Sequence, residues 1–175
     1  MKVSFEKALS GGHPNSLGNT VKVVDAVLAN ESRFAELFEC YFSEDPVVRL
    51  RVSNAMKRIA KEKPHLLIQF IDRFLTEVAR IDQASAKWTL AQLFLILEKK
   101  LTLAQKEQAT KIMKSNLKSQ EDWIVLNQTM NTLGKWAKKD EDLKKWLLPV
   151  LKQRSGDNRK SVANTSAKWV KQLAQ

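Results

Sequence analysis

Apolar residues recur along this chain at steps of three and four, the spacing of one helix face. Leu17, Val21, Val24 and Leu28 form a first stripe, and Phe34, Leu37, Phe38 and Tyr41 a second. Val48, Val52, Ala55, Met56 and Ile59 follow Asp45-Pro46, where the proline suits a first helical turn because its missing N–H costs nothing there. Pro64 stands in the same way before Leu67, Phe70, Ile71 and Phe74. Further stripes run through Leu90, Leu93, Phe94 and Leu97, then Ala109, Ile112, Met113 and Leu117, then Ile124 to Trp136. Leu143, Trp146, Leu147 and Val150 precede the last, Val162 to Trp169. The pattern predicts about nine helices of roughly 12–18 residues with short connections. Glycine and proline are scarce, and Gly11, Gly12, Pro14 and Gly18 crowd the start. No Asn-Gly or Asp-Gly turn separates alternating runs, so no strand is expected.

The stripes repeat. Asn54 to Lys61 reads NAMKRIAK, and the segments starting at Gln92, Asn131 and Asn164 align with it at steps of about 38, 39 and 33 residues. A period in this range with two helices per unit predicts an α-solenoid. Asp45-Pro46-Val47-Val48-Arg49, with Val52, Ala55, Met56 and Ile59, resembles the second helix of a HEAT repeat. Asp157 to Ala163 resembles the same motif, the Asp placed to cap the helix and the Arg to pair along the stack. The resemblance implies an all-α superhelix of antiparallel helix pairs, a right-handed solenoid of about four and a half repeats over residues 15–175. Residues 1–14 then form a leader or cap. HEAT repeats are a scaffold class, so the resemblance bears on fold more than on function.

Charge adds a direction. The chain carries 30 Lys and Arg against 19 Asp and Glu, a net +11. The excess is lopsided, with 13 basic and 11 acidic residues in 1–87 but 17 and 8 in 88–175. An acidic partner, either a nucleic-acid backbone or an acidic protein segment, fits that balance. Aligned repeats stack three columns: Lys61, Lys99, Lys138 and Lys171; Arg58, Ile96, Lys135 and Lys168; and Arg49, Lys87, Leu126 and Arg159. HEAT second helices typically line a concave face, so the resemblance places these columns as ridges along a groove suited to phosphates. The same lysines lie in last helical turns, where the helix dipole alone favours a cation.

Of five tryptophans, Trp136 and Trp169 align with core positions, and Trp146 shares a core stripe. Trp88 and Trp123 are candidates to stack on a base or to pack on a neighbouring repeat. Trp123 and Asn127, one turn apart, with Arg159, resemble the Trp, Asp and Arg of HEAT-like alkylpurine DNA glycosylases, except that Asn127 is an amide where the carboxylate belongs. An amide lacks the negative charge that stabilises an oxocarbenium ion.

Other chemistry has little to build on. His13 and His65 are the only histidines, so no triad or metal site is expected. Cys40 lies on an apolar face as a buried thiol, and Gly11-Gly12 follows no strand that would support a phosphate loop. No apolar run spans a bilayer, and Lys2, Glu6 and Lys7 interrupt any secretory core. The expected protein is a cytoplasmic monomer without cofactor or metal, a non-catalytic HEAT-like scaffold with a basic groove. A divergent glycosylase and a purely protein–protein assembly module stay open as alternatives.

Overall fold

The computed structural model describes residues 3–174. Met1 and Lys2 of the expected leader, and Gln175 at the end of the expected repeat domain, lie outside the described residues. Within them every regular element is helical. Three helices open the chain: α1 (Phe5–Leu9) and α2 (Thr20–Ala29) flank a long loop, and a 3₁₀ turn (Glu31–Arg33) leads from α2 into α3 (Phe34–Glu39). The remaining helices are α4 (Pro46–Glu62), α5 (Pro64–Ile68), α6 (Ile71–Thr76), α7 (Ala84–Leu97), α8 (Leu103–Ser119), α9 (Trp123–Ala137), α10 (Glu141–Arg154) and α11 (Lys160–Leu173).

Local chemistry sets several of the starts. Asp45 accepts from Val47 N at 2.8 Å ahead of Pro46, and Asp122 accepts from Ile124 and Val125 N at 2.9 and 3.0 Å. Thr102 and Gln105 close a reciprocal capping box at the start of α8. Asp157 instead turns back onto Arg159 N at 2.9 Å, one residue before α11 begins.

Five helices form a row in which each packs on the next: α2 on α4, α4 on α7, α7 on α9 and α9 on α11. The facing stripes are buried as the spacing predicts, from Val48, Val52, Ala55, Met56 and Ile59 to Leu90, Leu93, Phe94 and Leu97. Specific contacts lock the row. Thr132 Oγ1 donates to the Ala91 carbonyl at 2.7 Å in a buried bond between α9 and α7. Trp169 Nε1 donates to Asn131 Oδ1 at 2.9 Å, tying α11 to α9. A Cβ at Gly134 would fall inside the Trp169 indole, so glycine is what lets the ring lie flat on α9. The other helices flank the row, with α8 against α9 and α10 against both α9 and α11.

Three expectations are corrected. The helix starting at Pro64 is two short ones, α5 and α6. Phe70 leaves helical geometry at the joint (φ −109°, ψ 7°), and its ring sits 5.1 and 4.9 Å from Phe34 and Phe38 in the aromatic core. Leu17 and Val21 are exposed, because α2 starts at Thr20 and buries Thr20, Val23, Val24 and Val27. Trp146, Ile112 and Val150 are half-buried at the flank.

The loop from Ser10 to Asn19 has an anchor that spacing alone did not reveal. Arg51 is 2% exposed and has no carboxylate partner among the described residues. Its guanidinium donates to the carbonyls of Leu9 and Gly11 at 2.6 Å and of His13 and Ser16 at 3.1 Å. Gly18 turns beside it at φ +52°, where a Cβ would meet Arg51 Cζ at 2.9 Å. The legible signal is that Arg51 lies three residues after Val48 and four before Ala55, on the core face of its helix.

Candidate basic interface

The row's helices treat cations differently at their two ends. At the starts, the side chains are engaged. Arg49 donates to the Ser43 and Glu44 carbonyls at 2.5 and 3.0 Å and to Gln83 Oε1 at 2.7 Å. Lys87 is buried, bonded to the Ile81 carbonyl at 3.0 Å and paired with Asp82 at 3.1 Å. Arg159 is clasped by the Asp157 carboxylate at 2.7 and 2.8 Å and donates to the Glu121 carbonyl. The Arg159 side chain and backbone N–H hold the Asp157 carboxyl well below the usual carboxylate range. Arg49 and Arg159 therefore reach across to Gln83 and Glu121, Lys87 ties down the loop before its own helix, and this expected column does not present free charge.

At the other ends, Arg58, Lys61, Lys99, Lys135, Lys138, Lys168 and Lys171 are exposed. Among the described residues none of them has a carboxylate within ion-pair distance. The reason is compositional: α7, α9 and α11 contain no Asp or Glu, and α4 contains only its last residue, Glu62. A cation in a last helical turn gains about 0.3–1 kcal/mol from the dipole. That explains its place on one helix. It does not explain the lack of acid on three successive ones.

Two parts of this surface come together in space. Lys138 of the α9 end and Lys168 of α11 sit 5.5 and 5.0 Å from the centre of the same Trp169 ring. Arg58 and Lys61 join Lys57 and Asn54 along one wall of a cavity of about 420 Å³. Its other walls are Gln92, Leu95 and Ile96 of α7 and Gln128 and Thr132 of α9. Burial first, then the neighbouring charges of Lys61 and Arg58, lowers the Lys57 pKa. The Gln92 Oε1 is buried with no hydrogen-bond partner. Lys57 was missed because its aligned positions are Leu95, Gly134 and Ala167, so no basic column marks it.

The tryptophans separate cleanly. Trp136 and Trp169 are buried, as expected. Trp146 is half-buried in the flanking layer, with Lys114 at 4.6 Å and Lys118 at 5.6 Å over its ring. Trp88 is half-buried and lines a second cavity, of about 250 Å³, with Leu17, Leu50 and Asn54. Trp123 is 50% exposed in the first turn of α9. Asn127 is buried with its Oδ1 unpartnered, while Arg159 is held by Asp157 and Glu121. These three do not form a set of free groups around one opening.

No cluster of three or more His, Cys, Asp or Glu side chains among the described residues could hold a metal. Cys40 is buried, and burial first, then Glu6, Glu36 and Glu39, pushes its thiol up to about 12. His65 pairs with Glu31 at 3.0 Å on the surface. No described helix is long and apolar enough to cross a membrane. Comparison of the chain with protein-family models, with curated proteins and with solved structures returns no match.

Proposed function

We propose that the chain is a HEAT-like α-solenoid scaffold whose row of α4, α7, α9 and α11 binds the phosphate backbone of nucleic acid without catalysing a reaction. One observation carries the reading: seven exposed cations without carboxylate partners, on helix ends where three successive helices hold no acid. Arg49 and Arg159 then serve as links between repeats, and Lys87 holds the loop before its own helix. Arg58, Lys61, Lys99, Lys135, Lys138, Lys168 and Lys171 contact the partner, and Lys57 joins them. Phosphates are favoured because a row of point cations on successive helices matches a backbone of evenly spaced charges.

The test is fluorescence anisotropy of labelled nucleic acid titrated with the protein at two salt concentrations. A surface making several phosphate contacts should lose on the order of 10³-fold in affinity between about 50 and about 200 mM salt. Lys135→Glu with Lys138→Glu and Lys168→Glu should abolish that binding while leaving the helical circular dichroism intact. Binding unaffected by salt or by the charge reversals refutes the reading, and absence of binding at the lower salt refutes it in favour of an acidic protein partner.

A further inference from the structure

The cavity beside Lys57 contains more than phosphate binding needs. Its α4 wall supplies three cations, and Asn54 Oδ1 on that wall is already taken by Arg58 Nε at 2.8 Å. Its α7 and α9 walls supply two amides, Gln92 and Gln128, and the aliphatic faces of Leu95 and Ile96. No carboxylate lines it. Thr132 has its hydroxyl committed to Ala91, so the neutral polar groups left for a ligand are the two glutamine amides and the Asn54 Nδ2 amide. The Gln92 Oε1 is buried without a partner, a state that a ligand donor would relieve. At about 420 Å³ the space falls in the range of pockets that enclose small flat ligands, roughly 300–1,000 Å³.

A wall of cations facing a wall of amides and aliphatic carbon fits one kind of group: an anion joined to a flat body that both donates and accepts hydrogen bonds. A nucleobase on its phosphate has that form. One helical turn before Gln92 on α7, Trp88 lines the adjoining cavity, and Asn54 borders both. The aromatic face and the amide pocket thus lie side by side. A base inside a duplex is stacked and paired, and cannot enter such a pocket without being extruded; an unpaired base can.

We infer that this cavity receives an unpaired base of a single-stranded nucleic acid, with Gln92 and Gln128 on the base edge, Lys57, Arg58 and Lys61 on the flanking phosphates, and Trp88 stacking on the neighbouring base. This rests on the proposed phosphate-binding function and narrows it to single strands.

The experiment compares three labelled probes of equal length at one salt concentration: a mixed-sequence single strand, the same strand in a duplex, and an abasic single strand carrying the phosphates alone. The intact single strand should bind at least about tenfold tighter than either of the others, since one stacked base contributes that much. Gln92→Leu should shrink the ratio between intact and abasic strands. Trp88→Ala should do the same, with thermal melts followed by circular dichroism to confirm that each variant folds. Equal binding of intact and abasic strands, or a preference for duplex, overturns the base pocket and leaves the phosphate-binding function standing. Absence of binding to all three probes overturns both. Displacement of the strand by polyglutamate as readily as by unlabelled strand identifies an acidic peptide as the occupant and overturns the base pocket.

Discussion

The starts and the ends of the row's helices carry the same residue types and put them to different use. At the starts, Arg49, Lys87 and Arg159 are bound by carbonyls and by Asp82, Asp157 and Glu121. At the ends, Lys99, Lys135 and Lys168 are exposed without a hydrogen-bond or ion-pair partner among the described residues, and Arg58 bonds only Asn54 of its own helix. The helix dipole disfavours a cation at a start, so a cation kept there needs partners, and it finds them in the preceding loop or in Gln83 and Glu121. A cation at an end is tolerated without one. The difference shows that a basic column in an alignment is not yet a binding surface. What separates the two kinds is whether a carbonyl or carboxylate stands within reach.

Arg51 is the extreme of the engaged kind, and Arg51→Met should have the largest effect. Four carbonyl contacts, one buried and three half-buried, go at once, and about 3 kcal/mol of stability with them, read from urea denaturation. A loss below about 1 kcal/mol, the worth of one ordinary hydrogen bond, would show that the loop does not depend on this anchor. Gly134→Ala attacks the joint that supports the free ends. The new methyl meets the Trp169 indole, and about 2 kcal/mol of overpacking strain should outweigh the better helix propensity of alanine. Tryptophan fluorescence should report the displaced ring.

Arg49→Met against Arg58→Met tests the comparison directly. The first should cost about 1–2 kcal/mol because it strands acceptors in Ser43, Glu44 and Gln83. The second should change stability by no more than about 0.5 kcal/mol while weakening nucleic-acid binding. If both destabilise alike, the two ends are not different in kind. The smallest effect is one of pH. Asp157 is held ionised below its ordinary range, so the folded state binds its proton less readily than the unfolded chain. Its contribution is complete above the unfolded value of about 3.9 and is lost as pH falls below it. Asp157→Asn should flatten that limb of an acid-denaturation curve, and an unchanged limb would assign the acid sensitivity elsewhere.

Much of the fold is legible in the residues. Asp45-Pro46 and Thr102 with Gln105 mark helix starts because capping is local chemistry. Trp136 and Trp169 are placed in the core by spacing alone. The lysines at the helix ends are equally visible, and so is the missing acid on α7, α9 and α11. Less visible is the break at Phe70, which follows from ring packing on Phe34 and Phe38, residues more than thirty positions away. The buried face of α2 was ambiguous because Val21, Val23, Val24, Val27 and Leu28 allow more than one stripe.

The helical character, the helix starts and the excess of positive charge are written in the order of residues, since each depends on neighbours within a turn or two. The roles of individual cations are not. Arg49 and Arg58 lie nine positions apart on one helix; the first bonds the Ser43 and Glu44 carbonyls before it and Gln83 from a distant loop, while the second bonds only Asn54. The Gln83 contact spans 34 residues, and a one-dimensional pattern holds no record of it. A hydrogen bond or an ion pair depends on a few ångströms in space, and packing between helices decides that distance.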